Sequence, residues 1–150
     1  MKGGLFMALG AVAYRVGGVQ LGQMTGLGRK MPWTMASFVA GGLSLIGVPL
    51  TVGFVSKWYL IQAALEKGWW MIAILIVISS LLAVIYVWRV VEVIYFRPAG
   101  AVAQEVNEAP LSMLIPMWVL IGASIYFGID ATTTLDVAIA AARALLGGGG

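Results

Sequence analysis

The sequence predicts an all-α, polytopic transmembrane helical bundle with one discontinuous helix and an amphipathic helix at its C-terminal end. Three observations carry that prediction. Of the 150 residues, 61% are hydrophobic and 10% charged, whereas a soluble domain averages about 45–50% apolar and about 25% charged residues. The apolar residues fall in long runs, the pattern of chains whose solvent is lipid. The longest run is interrupted by Gly47-Val48-Pro49-Leu50-Thr51-Val52-Gly53, where a proline removes an amide donor and glycines permit non-helical backbone.

Taken in order, residues 1–16 form the first span. Its apolar run from Leu5 to Val16 falls short of the ~20 residues that cross a bilayer, so it reads as the end of a helix begun before Met1. Lys2 ahead of a short apolar stretch imitates a secretory leader, but Tyr14-Arg15 offers no small-residue cleavage site and further spans follow. Residues 17–30 read as a glycine-rich polar loop. Pro32 suits a first helical turn, and the second span covers residues 33–66. The apolar run from Trp33 to Ala64 would be about 48 Å long as one helix, against ~30 Å of hydrocarbon. The break near residues 47–53 divides it into two half-helices.

Residues 69–96 form the third span, with Trp69-Trp70 and Tyr95-Phe96 as interfacial anchors. A polar loop carries Glu105 and Glu108. The last span covers residues 111–129, with Pro110 near its start and a kink expected at Pro116. Residues 130–150 comprise an amphipathic helix, with Leu135, Ala138, Ile139, Ala142 and Leu145/Leu146 along one side, and a four-glycine tail. Arg15, Arg29, Lys30 and Arg97 fall in the first and third loops, while Lys67 and Arg143 lie opposite, so the first and third loops are expected on the cytoplasmic side.

Cysteine and histidine are both absent. That removes the usual ligands of zinc, iron–sulfur clusters and haem, together with the commonest general base. No metal site and no cofactor are expected. Basic residues are scattered singly, so no nucleic-acid groove is expected either. Any chemistry must run on lysine, arginine, carboxylates, hydroxyls and backbone.

Lys57 is the most informative of these. It lies one turn into the second half-helix, and an ammonium at membrane depth costs at least ~2.5–3.5 kcal/mol on insertion scales. Broken helices expose carbonyls and amides that build ion sites, and desolvation loosens a lysine's hold on its proton. The alternative is a lysine that snorkels to the interface; the adjacent break favours function. Gly47, Pro49 and Gly53 form the break, and Ser44, Thr51 and Ser56 flank it as polar lining that can hold water or satisfy freed backbone groups. Arg89 and Glu92, spaced i, i+3, can form an ion pair, either structural or lining a proton exit. Lys2 reads as a flanking lysine unless it lies inside a helix. Gly41-Gly42 suggests close helix packing, and Trp58 and Tyr59 suggest packing or anchoring.

Two stretches resemble a known family. Met1-Lys2-Gly3-Gly4-Leu5-Phe6 is similar to the end of a motif in which a histidine precedes a membrane lysine, and Gly41 to Lys57 is similar to the broken-helix motif of the same proton-translocating antiporter-like subunits. That family includes antiporter-like subunits of respiratory complex I, hydrogenase membrane subunits and the A-type and D-type proteins of Mrp antiporters. The wording Gly53-Phe54-Val55-Ser56-Lys57-Trp58 looks most like the D-type Mrp protein. The resemblance implies a fold of about fourteen helices in two inverted repeats, of which this chain would be a C-terminal fragment. It implies proton relay through Lys57 and Lys2 with bound water, monovalent cation (Na+)/proton antiport, and a transporter subunit rather than an enzyme. It also implies an inner (plasma) membrane location in bacteria, alongside the subunits of a hetero-oligomeric antiporter or respiratory complex. A proton-pumping NADH:quinone oxidoreductase subunit and a non-conducting structural remnant are the rival expectations. The paired glutamate and lysine of the first repeat, and the histidine before Lys2, are absent.

Overall fold

The computed structural model describes residues 1–98, 100 and 105–146; within the last helix the side chains of residues 133–135, 143, 145 and 146 lie outside that description. All regular structure among the described residues is helical. Helix α1 spans Lys2–Val16 and α2 spans Pro32–Ile46, joined by 3-10 turns at Leu21–Met24 and Leu27–Arg29. Helix α3 spans Val52–Glu66 and α4 spans Trp70–Val91, continuing through a π-helical turn at Glu92–Phe96. Helix α5 spans Leu111–Ile129 without interruption at Pro116, and α6 spans Thr132–Leu146.

Among the described residues, two helices are long and apolar enough to cross a bilayer, Trp70–Phe96 and Leu111–Ile129, with mean hydropathy of 2.7 and 1.8. The 15-residue α2 and α3 are each about 22 Å long, too short to cross alone. Each is one half of the interrupted second span.

Helix α1 packs on α2 and α5, α4 packs on α2 and α3, and α3 also packs on α5. Small residues make these approaches close, as they do between helices that lipid cannot drive together. Gly41 faces Leu5 of α1 and Gly42 faces Val87 of α4, so the middle of α2 receives a neighbour on each side. Gly4 of α1 meets Ile121 of α5 in the same way.

The main apolar core lies at one end of the bundle. It unites Ala8, Ala11 and Val12 with Met24, Leu27, Met31, Met35, Ile94, Leu114 and Met117. Two of these, Met24 and Leu27, come from the segment expected to be a polar loop. Its glycines let the chain fold inward, and Gly28 lies directly against Tyr95 and the Ile94 carbonyl. The π turn contributes here too: the Gly26 amide donates to the Val93 carbonyl at 3.2 Å, an acceptor left free because the helix ends at Phe96.

On the opposite side, Met71, Leu75, Ile78, Leu82 and Ile85 of α4 form an exposed apolar stripe at helical spacing, a surface suited to lipid or a neighbouring helix. In α6, Ala138, Ile139 and Ala142 are exposed; the side chains of Leu135 and Leu145/Leu146, which complete the expected amphipathic face, and of Arg143, used for the orientation, lie outside the described positions, as does the glycine tail.

Candidate functional site

The site is built from the interruption between α2 and α3. Helix α2 stops because Gly47 takes the left-handed conformation at φ 94°, and its amide and that of Val48 both donate to the Leu43 carbonyl at 3.1 Å. This is the usual glycine-terminated helix end. The chain then passes through Pro49 and through Leu50, which holds φ 75° without being glycine. Thr51 ends the interruption, its hydroxyl donating to the Val48 carbonyl at 2.7 Å. Val52 and Gly53 are already helical, so the non-helical stretch is shorter than the sequence suggests.

A helix end leaves its last four carbonyls without intrahelical partners. Leu43 is satisfied as above, and Ser44's carbonyl lies against Gly53, where any Cβ would overlap it. The remaining two are taken by one side chain. Lys57 Nζ donates to the Leu45 carbonyl at 2.9 Å and to the Ile46 carbonyl at 2.9 Å. Its third donor goes to Ser80 Oγ of α4 at 2.8 Å. A glycine is required for this arrangement: a Cβ on Gly47 would stand 3.2 Å from Lys57 Cδ, crowding the lysine stem.

The cradle counts protons. An ammonium has three N–H donors, and all three are matched by acceptors. Ser80's own hydroxyl hydrogen goes to the Ile76 carbonyl at 3.1 Å, so toward Lys57 it acts as acceptor. A neutral amine has two hydrogens and a lone pair, and would turn that lone pair toward an oxygen. The positive charge also lies at the negative end of the α2 dipole. The cradle therefore matches, donor for acceptor, the hydrogen-bonding capacity of the protonated side chain.

The other residues singled out in the sequence separate into three groups. Ser44 and Ser124 face each other across α2 and α5, with their hydroxyl oxygens 3.0 Å apart and both residues buried. Ser56 donates to the Gly53 carbonyl at 3.1 Å, satisfying its own helix. Lys2 opens α1 and lines an apolar cavity of about 310 Å³ with Phe6, Gly42, Leu45 and Tyr86; Leu45 thus borders the Lys2 cavity with its side chain and Lys57 with its carbonyl. The Arg89–Glu92 pair does not form. Glu92 instead meets Arg97 at 3.6 Å, across the π turn that follows it.

Two site residues carry little signal in the sequence. Ser80 sits within a long apolar run, marked only by a hydroxyl pair, Ser79-Ser80, in mid-span. Glu108 falls in the expected polar loop, yet it accepts from the Trp33 amide at 2.8 Å and from the Thr34 hydroxyl at 2.5 Å. It thereby caps the start of α2, which has no local side-chain cap.

Residues 1–83 match the family described as NADH:quinone oxidoreductase/Mrp antiporter, transmembrane. The chain is 42% identical over 132 residues to NADH-quinone oxidoreductase subunit N of Desulforudis audaxviator, covering 80% of this chain and 26% of that protein. It is 25% identical over 155 residues to F(420)H(2) dehydrogenase subunit N of Methanosarcina mazei, covering 97% of this chain and 31% of that protein. The solved Mrp complex from Dietzia sp. contains a chain that superposes with a TM-score of 0.83 at 25% identity, over 95% of this chain and 34% of that one. The chain therefore spans about a quarter to a third of these relatives' length. Both sequence relatives are subunits N, which does not support the narrower likeness to the D-type Mrp protein. That likeness rests on six residues beside the break, where the need for glycine and lysine constrains the sequence on its own.

Proposed function

The chain belongs to the NADH:quinone oxidoreductase/Mrp antiporter transmembrane family, and on that footing we propose that it is the proton-carrying C-terminal part of a membrane subunit. Lys57 is the proton station. Protonated, it bridges the two half-helices and α4; to release a proton it must leave a cradle of three acceptors, so proton transfer and the joint between α2 and α3 move together. Lys2, on the far side of Leu45, is the neighbouring station, with water between them.

The observation that carries this reading is the three-acceptor cradle at a helix break. The 42% identity to a subunit N favours a proton-pumping NADH-quinone oxidoreductase type of assembly, with other membrane subunits as neighbours. A second reading, Na+/proton antiport, is supported by the likeness to a chain of the Mrp complex.

The test uses native membranes carrying the chain with its partner subunits. Lys57→Ala is expected to abolish proton uptake into inverted vesicles while assembly persists. Flux that needs an electron donor and ignores Na+ supports the first reading; flux driven by an added Na+ gradient supports the second. Undiminished flux in assembled Lys57→Ala complexes would overturn both and leave a structural subunit.

A further inference from the structure

Helix α2 is held along its whole length to α5, and the two run parallel. Three polar contacts join them: Thr34 to Glu108 just before α5; Ser37 Oγ, whose one hydrogen is shared between the Thr34 carbonyl at 2.8 Å and Met117 Sδ at 2.9 Å; and Ser44 to Ser124 at 3.0 Å. Thr34 and Ser37 are fully buried. The first contact differs from the others in two respects. It is charged, and it supplies the missing N-terminal cap of α2, because Glu108 also accepts from the Trp33 amide and from its own neighbour, the Ala109 amide, at 3.0 Å. Glu108 thus holds the start of α2 by two hydrogen bonds, while the third, from Ala109, fixes its own carboxylate just before α5. The other end of α2 is the pair of carbonyls that holds Lys57.

A helix transmits axial displacement because its hydrogen-bond ladder is stiff over about 22 Å. A slip of one residue, about 1.5 Å, directed away from Lys57 would stretch both 2.9 Å bonds to about 4.4 Å, beyond hydrogen-bond range. The two remaining contacts join uncharged side chains part-way along the helices; the Glu108 contact is the one that takes hold of the first turn of α2 through a backbone amide, Trp33, as well as a side chain. We propose that Glu108 is a positioning residue for Lys57: by anchoring the first turn of α2 it holds the Leu45 and Ile46 carbonyls where the ammonium meets them. The inference rests on the cradle being the proton station, but its test reads geometry and not flux.

Hydrogen exchange measured on the assembled complex in lipid nanodiscs provides that test. Glu108→Ala is expected to speed exchange of the amides from Gly47 to Phe54, a full helix length from the substitution, by about fivefold, the size of losing a helix N-cap. Glu108→Gln is expected to restore the slow rate, since its amide oxygen accepts from Trp33 and its amide nitrogen donates to Thr34. In a Lys57→Ala background, Glu108→Ala is expected to add nothing at the break, because the contact it protects is already gone. Thr34→Val, which keeps the carboxylate and removes one partner, should give the same change at smaller size. Faster exchange confined to Trp33–Ser37, or a Gln variant no better than Ala, would overturn the proposal. Proton flux surviving Lys57→Ala would instead defeat the station reading, and would leave the exchange result standing.

Discussion

Lys57 donates to the carbonyl of Ile46, the last residue of the preceding half-helix, across eleven residues and a break in the backbone, at 2.9 Å. That bond ties the two halves of one interrupted span together through a proton-bearing group. Its consequences can be separated by substitutions that touch one partner at a time.

Ser80→Ala removes one acceptor and leaves the two carbonyls. Hydrogen bonds to charged groups contribute about 1.5–3 kcal/mol, so proton flux should fall about tenfold or more with assembly unchanged. Ser79→Ala is the matched control. Its hydroxyl bonds only to the Ile76 carbonyl of its own helix and is exposed, so flux should match the unsubstituted complex.

Gly47→Ala and Gly53→Ala attack the backbone of the site. At Gly47 a side chain meets both a left-handed φ and the lysine stem, and at Gly53 it overlaps the Ser44 carbonyl. Each should lower the thermal stability of the assembled complex, by about 1–2 kcal/mol for the conformation at Gly47 and by more at Gly53, where backbone must move. A melting curve followed by size-exclusion detection measures both. Gly10→Ala, where a side chain in mid-helix meets open space, should leave stability unchanged or raise it by about 0.5–1 kcal/mol.

Leu50 holds φ 75°, a conformation that β-branched residues adopt with difficulty and asparagine adopts readily. Leu50→Asn should therefore preserve stability and flux, whereas Leu50→Val should lower the melting temperature. If the two variants melted alike, the left-handed geometry of the break would be wrong.

The Glu92–Arg97 pair is exposed and joined across a π turn. A double-substitution cycle on these two residues should return a coupling of about 0.2–1 kcal/mol. The same cycle on Glu92 and Arg89 should return none. Coupling to Arg89 instead would mean that the Glu92 carboxylate turns back along α4 and not toward Arg97.

What the sequence made legible was local chemistry. Gly47, Pro49 and Gly53 announce a break because their backbone preferences act where they stand, and Lys57 announces a site because its charge is out of place in an apolar run. What stayed hidden was chemistry between distant segments. Glu108 caps a helix that begins 75 residues earlier, and Ser80 reaches Lys57 from a different helix; neither has a periodicity that points to its partner. Met24 and Leu27 were hidden by composition, since the glycines that mark a loop also let it fold into the core. The Arg89–Glu92 spacing misled because Glu92 turns toward Arg97 at the far end of the π turn, a partner that no α-helical spacing points to.

The proposed mechanism stands on Lys57 carrying a proton that it also gives up. Nitrogen NMR of the isotopically labelled Lys57 side chain, recorded on the assembled complex across the pH range in which flux is measured, observes that proton itself. The ammonium signal, with its three hydrogen-bonded protons, is expected to give way to a neutral amine within that range, and Ser80→Ala is expected to move the transition. An ammonium signal that persists unchanged across every pH at which the complex conducts protons would rule the mechanism out.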